Sequence, residues 1–452
     1  MSNTEHDNTP VQHVLNDLIA QELWEEVPAQ LDEMHVQDIA TVLDDQDNDT
    51  AVRILKLLAE ERQLEVFSYL KEENQYAVLD AMDNAISRKL LQSLSSDDLT
   101  RLLEALKPEQ SEPLLKLLTS KEVKAALKIL GYPEQSAGRL MNTEFVTIRP
   151  DWTVREVLQH VRSQDSSEET INTLYITDEQ GHLLGTAGIK RMVLSDPDTP
   201  VETMISSPLV SVQASDDREE AVHQIQHYDI NALPVLSKQG ILLGVVTVDD
   251  VMDVIEEEAT EDFHKMGGTS TLNLSLRDAR PSLLYRKRVG WLVLLVFMNI
   301  FGGAGIAYFE ETIEAVIALV FFLPLIVDSG GNAGSQSATL MVRALATGDV
   351  RSKDWLRLWG KELGVAIALG ITMGLAVWGL GIWRGGPEVG LVVAMAMVCV
   401  VTFGSMVGMV LPFVLARMKF DPATASAPLI TSIADICGIL IYFSIATAVL
   451  TI

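Results

Sequence analysis

The segment PLIVDSGGNAGSQ, Pro324 to Gln336, lies within an otherwise apolar C-terminal half. A carboxylate and two amides at membrane depth are unfavourable unless they face water, an ion or a partner helix. Three glycines and one alanine between them let backbones approach closely, and Pro324 interrupts helical hydrogen bonding and exposes carbonyl groups. This combination indicates a conduction pathway.

Charged and apolar residues are separated along the 452-residue chain. Residues 286–452 hold 10 acidic and 11 basic side chains, which leaves 52 acidic and 23 basic residues in positions 1–285. The net charge of −28 is therefore a property of the N-terminal half. This acidity argues against nucleic-acid binding, which needs basic stripes. Two interpretations remain: a surface that is only solvated, or a surface that binds cations.

Five stretches of the C-terminal half are long enough to cross a bilayer, which takes about 20 helical residues. Lys and Arg are concentrated before the first stretch, between the second and third, and between the fourth and fifth. This bias places the acidic half in the cytoplasm and the C-terminus outside. The N-terminus lacks the basic and apolar regions of a cleaved signal peptide. The predicted spans are Val289–Tyr308, Ala315–Met341, Leu363–Trp383, Val389–Ala416 and Pro422–Ile452.

Short amphipathic helices are predicted in the first part of the acidic half. Apolar residues recur at helical spacing in segments such as 51–58 and 99–106, and polar breaks separate these segments. Recurring short helices are typical of a superhelical stack, which serves as an interaction or regulatory surface.

Between Met141 and Asp262 the chain repeats itself. Each copy reads as a buried strand, a glycine turn, a second strand and a helix, and Gly181 and Gly240 are 59 residues apart. The copies resemble paired cystathionine-β-synthase-type (CBS) domains, most clearly in the segment GVVTVDDV that begins at Gly244. The resemblance implies a ligand sensor that gates an attached domain and does not catalyse. Such pairs often bind adenine nucleotides, so an adenine nucleotide is an open alternative ligand here.

The second copy continues into the acidic segment DDVMDVIEEEATED, Asp249 to Asp262. Like charges at helical spacing destabilise a lone helix by tenths of a kcal/mol each, roughly, and a shared divalent cation removes that repulsion. Magnesium suits carboxylates, and its retained waters bridge clusters that do not touch. The helix is therefore either a solvated linker or a cation sensor. On one helix Asp250, Asp253 and Glu257 share a face, and Glu258, Glu261 and Asp262 follow on the next turns. Weaker candidates in the same copy are Asp217, Glu219 and Asp229.

The membrane half resembles the MgtE family of magnesium channels. The resemblance rests on Pro324 to Gln336, on the following SATL and RALATG segments, and on DPATASAPLITSIAD, which ends at Asp435. The order of parts also matches: a helical N-domain, a CBS pair, a connecting helix and five spans.

Membership of this family implies a homodimer in the lipid bilayer of the plasma (inner) membrane, with a pore along its symmetry axis. Asp435 matches the family's pore aspartate, which holds hydrated Mg²⁺, and Asp328 is shared by many members. Ala427 stands where some members carry a pore-side asparagine. The positions that match cytosolic Mg²⁺ ligands are Asp250, Asp253, Glu258, Glu261 and Asp262, and also Asp217, Glu219 and Asp229.

The expected fold is multidomain, with a cytosolic α-helical superhelical N-domain, an α/β CBS pair and an all-α five-span membrane domain. The expected boundaries are a disordered N-terminus at 1–17, the N-domain at 18–132, the CBS domains at 137–200 and 201–262, a connecting (plug) helix at 263–288 and the pore domain at 289–452.

The expected function is a magnesium channel that imports Mg²⁺ down its electrochemical gradient and is closed by cytosolic Mg²⁺. One alternative is a channel of the same architecture for cobalt or another divalent metal. Another is a membrane-anchored Mg²⁺ sensor without transport. An intramembrane hydrolase is disfavoured, since all eight histidines precede the first span and no phosphate-binding loop or metalloprotease motif occurs. We therefore expect no enzymatic activity.

Overall fold

The computed structural model describes residues 10–163, 171–206, 208–272, 276, 279–350 and 354–450. These residues form two compact units, Met1–Ile255 and Glu256–Ile452. The first unit contains many short helices and two three-stranded sheets, and the second contains long apolar helices. The predicted fold class is confirmed, apart from the number of membrane spans.

Ten short helices precede the sheets within residues 10–130. Side-chain oxygens begin several of them: Asp47, Asp83, Ser95 and Thr119 each accept a hydrogen bond from a backbone N–H of the first turn. Each helix from the third to the sixth packs against the helix two further along the chain, which makes the superhelical stack. The helices are α1 (Pro10–Ala20), α2 (Val27–Asp32), α3 (Val36–Asp44), α4 (Asn48–Leu55), α5 (Glu60–Ser68), α6 (Glu72–Ala81), α7 (Asn84–Ser93), α8 (Ser96–Ala105), α9 (Pro108–Leu115) and α10 (Ser120–Leu130).

The expectation of disorder over residues 1–17 is wrong for its second half. Residues 1–9 lie outside the described part of the chain, but Pro10–Ala20 form the helix α1. Leu15 is fully buried in the same apolar cluster as Val27 and Leu31. Burial of this apolar stripe orders the segment despite its polar composition.

The two CBS copies have the same strand register. In the first copy β2 pairs antiparallel with β3 and parallel with β1, and in the second β5 pairs in the same way with β6 and β4. Gly181 and Gly240 occupy the turns with φ of +84° and +85°, a left-handed conformation that favours glycine. The elements are α11 (Ala137–Leu140), β1 (Thr147–Ile148), α12 (Val154–Ser163), β2 (Thr173–Thr177), β3 (Leu183–Gly188), α13 (Ile189–Val193), a 3₁₀ turn (Val201–Met204), β4 (Val212–Gln213), α14 (Arg218–Tyr228), β5 (Ala232–Leu236) and β6 (Leu242–Thr247).

The acidic segment is a single helix, α15 (Val248–Met266), as its spacing predicts. The connecting helix expected at 263–288 is not formed as one element. Helix α15 ends before Gly267 and Gly268, of which Gly268 has φ of +69°, and the next helix begins only at Pro281. The described residues between them are not helical, because two glycines stop one helix and a proline at the first helical position starts the next.

Four helices of the described chain are long and apolar enough to cross a membrane. The longest has 63 residues, about 95 Å of helix at 1.5 Å per residue, but Gly386 interrupts it with φ of 90° and ψ of 177°. Gly381 and Gly390, on the two sides of this interruption, lie against each other, so the chain reverses there. The reversal divides α19 into two segments, which supports the prediction of five membrane crossings. The helices are α16 (Pro281–Tyr308), the short α17 (Glu310–Ala315), α18 (Ala318–Ala346), α19 (Trp355–Arg417) and, after a 3₁₀ turn at Pro422–Thr424, α20 (Ala427–Leu450).

Helices α18 and α19 are held together by two facing pairs of glycines. A Cβ placed on Gly404 would lie 2.1 Å from the carbonyl oxygen of Gly330, and one on Gly408 would lie 2.0 Å from that of Gly334. Both helices thus carry a Gly-x-x-x-Gly pattern at the same contact. Such patterns let membrane helices approach until their backbones touch, so packing is the role of this motif.

We expect Gly404→Ala to destabilise the membrane unit by about 1–3 kcal/mol, because the added methyl group overpacks the contact with Gly330. The measurement is the midpoint of thermal unfolding in detergent. Gly379→Ala on the same helix is the matched control, since nothing lies within 4 Å of its added Cβ. Equal midpoints for the two variants would contradict the close packing.

Candidate ion pathway and sensor site

Helix α18 has one glycine-rich buried face and one polar exposed face. Gly330 and Gly334 are buried against α19, whereas Asp328, Asn332 and Gln336 are exposed in the protomer. The three polar residues are spaced by four, so they form one stripe along the helix. Asn332 Nδ2 donates a hydrogen bond of 2.9 Å to Asp328 Oδ2. A polar stripe on a membrane helix needs water, an ion or a second protein surface beside it.

Asp435 lies on α20 on the same side of the unit as this stripe. Its carboxylate is close enough to that of Asp328 for the two charges to repel each other. Asp435 is partly buried, and the neighbouring Ala434 and Gly438 are fully packed. Two carboxylates near each other in a membrane unit favour a cation close by. The structure therefore brings together the two membrane aspartates that the sequence singled out.

Hydroxyl groups join α18 to α20 about one helical turn before Asp435. Ser335 Oγ lies 3.3 Å from Thr431 Oγ1 and donates a hydrogen bond of 3.4 Å to the carbonyl oxygen of Ala427. Gly331 packs against Thr431, which fixes the spacing of the two helices. At position 427 the chain offers a backbone carbonyl and no side-chain amide.

The first half of α15 carries Asp250 and Asp253. Asp250 is buried and accepts hydrogen bonds from Thr247, from the backbone N–H at 3.1 Å and from Oγ1 at 2.5 Å. Burial raises the pKa of Asp250, against the effect of these hydrogen bonds. Asp253 is 66% exposed and lies 3.8 Å from a guanidinium nitrogen of Arg101, which also attracts Asp250. One basic side chain thus faces both carboxylates.

The second half of α15 carries Glu258, Glu261 and Asp262. Lys265 Nζ forms ion pairs with Glu261 and with Asp421, which precedes α20. Burial, with repulsion from Asp421 next, raises the pKa of Asp262 to about 6. Glu258 also repels Asp262. We call Glu258, Glu261, Asp262 and Asp421 the acidic cluster.

The weaker candidates of the second CBS copy lie at opposite ends of α14. Asp217 caps the first turn, where its carboxylate accepts a hydrogen bond from the backbone N–H of Glu219 at 3.0 Å. Asp229 ends the helix with φ of +51°. The helix is about 16 Å long at 1.5 Å per residue, so one ion cannot bind both ends within a protomer.

The acidic cluster fits a magnesium ion in its chemistry but is not a closed ligand shell. Its groups are hard carboxylate oxygens, the ligands that Mg²⁺ prefers, and the Lys265 ammonium already bridges two of them as a cation would. In the part of the chain that the structure describes, no three Asp, Glu, His or Cys side chains converge to hold a metal. A hydrated ion bridging through water fits this spacing.

Sequence reasoning missed three charged residues of these sites: Arg101, Lys265 and Asp421. Arg101 pairs locally with Asp98, but it is about 150 positions from Asp250 and Asp253, a proximity that no local pattern reveals. Asp421 left a signal, because it is the acidic residue of a loop whose other charges are Arg417 and Lys419. Lys265 follows Glu261 by four residues, the spacing of a helical ion pair.

Three family models match the chain. The MgtE model, described as a divalent cation transporter, matches residues 323–445. The MgtE intracellular N domain matches residues 34–135, and the CBS domain matches residues 137–193 and 201–257.

Similar proteins and solved structures carry magnesium in their names. The chain is 41% identical over 319 residues to the magnesium transporter MgtE of Thermus thermophilus, covering 71% of each chain. It is 35% identical over 318 residues to the magnesium transporter MgtE of Bacillus subtilis, covering 70% of each. The soluble part of a magnesium transporter aligns at a TM-score of 0.50 and 28% identity, over 55% of this chain and 98% of that one. The cytosolic domain of the Mg²⁺ channel MgtE in complex with ATP aligns at a TM-score of 0.50 and 32% identity, over 54% of this chain and 99% of that one.

We expect Asp262→Asn to stabilise the protein at pH 7 when divalent cations are chelated. The pKa of this carboxyl rises on folding from its ordinary 3.8 to about 6. The protonated carboxyl therefore adds to the free energy of unfolding at low pH, and this stabilisation is lost as the pH rises from about 4 to 6. The gain at pH 7 is about 1 kcal/mol after allowance for partial exposure. Thermal unfolding between pH 4 and 7.5 measures it, with the variant's advantage vanishing near pH 4.

The control for this variant is Glu256→Gln, which neutralises an exposed carboxylate of the same helix. An equal gain from both variants would mean that only the net charge of α15 matters.

Proposed function

The chain belongs to the MgtE family of divalent cation transporters, and we propose that it is a magnesium channel closed by cytosolic Mg²⁺. The helical N-domain and the CBS pair form the sensor, and the membrane unit forms the pore. The proposal assigns the protein no catalytic role.

The observation that carries the proposal is the polar stripe of α18 beside Asp435. Asp328, Asn332 and Gln336 are exposed on a membrane helix whose opposite face is packed on glycines. A homodimer that places two such stripes on its symmetry axis would pair four aspartates around a water-filled path. Hydrated Mg²⁺ fits there, because it dehydrates reluctantly and prefers oxygen ligands. The relatives named magnesium transporters support this choice of ion.

Passive entry needs no motor. A divalent cation that moves into a cell with an inside-negative potential gains roughly 4–5 kcal/mol per 100 mV. Import is therefore downhill across the plasma membrane, and the problem for the cell is to stop it. We place the acidic half in the cytoplasm and the C-terminus outside, in agreement with the Lys/Arg bias of the loops.

Closure follows if Mg²⁺ binds the closed arrangement more tightly than the open one. The proposed sensor ligands are Asp250 and Asp253 on the first half of α15 and the acidic cluster on the second half. Burial raises the pKa of Asp250 and of Asp262, and repulsion from Asp421, Glu258 and Glu261 raises that of Asp262 further. Without Mg²⁺ the charged forms of these carboxyls are therefore unfavourable. Magnesium removes the repulsion and favours whichever arrangement brings the carboxylates together. Asp217, Glu219 and Asp229 remain candidates for a site shared with another element.

We also propose that the CBS pair binds an adenine nucleotide. The support is the relative whose cytosolic domain was solved with ATP, at 32% identity over that domain. The two copies have equivalent strands and turns, so they present two equivalent edges where a ligand of this class could bind.

Asp435→Ala should abolish Mg²⁺ uptake into proteoliposomes, because it removes the pore carboxylate, and should leave Mg²⁺ binding by the cytosolic half intact. Asp349→Asn, which neutralises an exposed carboxylate of a connecting loop, is the control and should retain uptake. Surviving uptake in Asp435→Ala would remove this residue from the pathway. Competition by Co²⁺ in the same assay tests the alternative ion, since hard oxygen ligands predict that Mg²⁺ is preferred.

Neutralising Asp250, Asp253 and Glu258 together, as Asn, Asn and Gln, should give a channel that stays open at high cytosolic Mg²⁺. Patch-clamp recording of excised patches measures the open fraction across the Mg²⁺ range. The matched control neutralises three exposed N-domain carboxylates, Glu61, Glu73 and Asp80, for the same loss of charge. Inhibition by Mg²⁺ that matches wild type in the first variant would contradict the sensor assignment.

A further inference from the structure

Lys265 is the basic side chain at the centre of the acidic cluster. It lies four residues after Glu261 on α15 and pairs with that carboxylate and with Asp421, which belongs to the loop before α20. Its side chain is 28% exposed, and that of Glu261 is 22% exposed. The contacts are thus less solvated than an ordinary surface ion pair.

The ammonium does more than neutralise one neighbour. Although partial burial acts against its charge, hydrogen bonds to Asp421 and Glu261 raise the pKa of Lys265. Lys265 also attracts Asp262, which Asp421 repels. One tethered cation therefore compensates three carboxylates on two separate elements.

We propose that Lys265 is an intramolecular competitor of Mg²⁺ at the acidic cluster and sets the concentration at which the sensor responds. This inference rests on the proposed sensing function of the cluster. Mg²⁺ has two charges and binds the carboxylates more strongly than one ammonium on a flexible four-carbon stem. The ammonium is tethered beside the carboxylates, however, so the free ion displaces it only above a threshold concentration. The competition is direct, because both cations need the same carboxylate oxygens.

A cavity beside the cluster gives the displaced ammonium a second position. It has a volume of about 150 Å³ and is lined by Lys265, Gly268, Thr269, Ser270, Trp291 and Thr424. The side-chain hydroxyls offer acceptors, and the indole ring of Trp291 offers a surface that attracts cations. The indole Nε1 of Trp291 is buried beside Gly268 and has no hydrogen-bond partner in the described structure.

The lysine thus has two positions, on the carboxylates without Mg²⁺ and in the cavity with Mg²⁺. The first position links α15 to the loop before α20 by a single-charge bridge. The second frees Glu261 and Asp421 for the ion, which links the same two elements more strongly because it carries two charges. A cation therefore lies on Glu261 and Asp421 in both states.

The test uses full-length protein in detergent and follows its thermal stabilisation by MgCl₂ at constant ionic strength. Lys265→Met removes the competing charge and keeps the side-chain length, so the Mg²⁺ concentration at half-maximal stabilisation should fall by roughly three- to tenfold. Lys265→Arg keeps the charge and should stay within about twofold of wild type. Lys116→Met is the matched control, since Lys116 pairs with Glu112 at the same four-residue spacing in the N-domain.

A second readout follows the lysine itself. Amine acetylation measured by mass spectrometry should increase at Lys265 across the same Mg²⁺ range, since the ammonium leaves its ion pairs, and should stay constant at Lys116. A purely structural lysine would show no such rise. Sodium chloride at equal ionic strength separates displacement from screening.

The competition is overturned if wild type responds to Mg²⁺ but Lys265→Met has the same or a higher midpoint, or if acetylation of Lys265 stays flat or falls. A wild-type protein that Mg²⁺ does not stabilise at all would overturn the sensor proposal, and the competition with it. The two failures are therefore distinguishable.

Discussion

A carboxylate away from bulk water must have a positive charge, hydrogen-bond donors or retained water beside it. This constraint acts in both parts of the protein. In the membrane unit Asp328 and Asp435 repel each other, and Asp328 accepts a hydrogen bond from Asn332. On α15 the carboxylates of the acidic cluster share one lysine. In both places the protein provides more negative charge than it neutralises, which is the condition for binding a free cation.

Close helix packing decides which face of α18 is buried and which stays exposed. The facing glycines of α18 and α19 bury one face of α18. The polar stripe lies on the opposite face, which stays exposed in the protomer. Ser335 and Thr431 connect the same helix to α20, which carries Asp435. The polar groups are thus held on rigid helices, and a path between two protomers would have walls that move as units.

The carboxylates that we propose as sensor ligands are in two separate environments along α15. Asp250 and Asp253 face Arg101 of the helical N-domain, whereas the acidic cluster faces Lys265 and the loop before α20. Each environment includes a residue from another part of the chain, so an ion bound at either one links α15 to its neighbour.

The sequence by itself determined the fold class, the repeat and the acidic helix, because these depend on local periodicity and spacing. Gly181 and Gly240 predicted equivalent turns, and the turns are equivalent. Local signals failed where distant contacts decide the outcome. Burial of Leu15, for example, orders a segment expected to be disordered. The expected connecting helix is wrong for a local reason, since Gly267 and Gly268 end α15.

Only the tertiary structure showed that Arg101, Lys265 and Asp421 belong to the acidic sites. Their partners depend on how helices pack, and a sequence does not display the contacts between elements far apart along the chain. The same reason applies to the glycines: a Gly-x-x-x-Gly pattern predicts close packing, but only the packed helices show which glycines meet and hence which face of α18 stays polar and exposed.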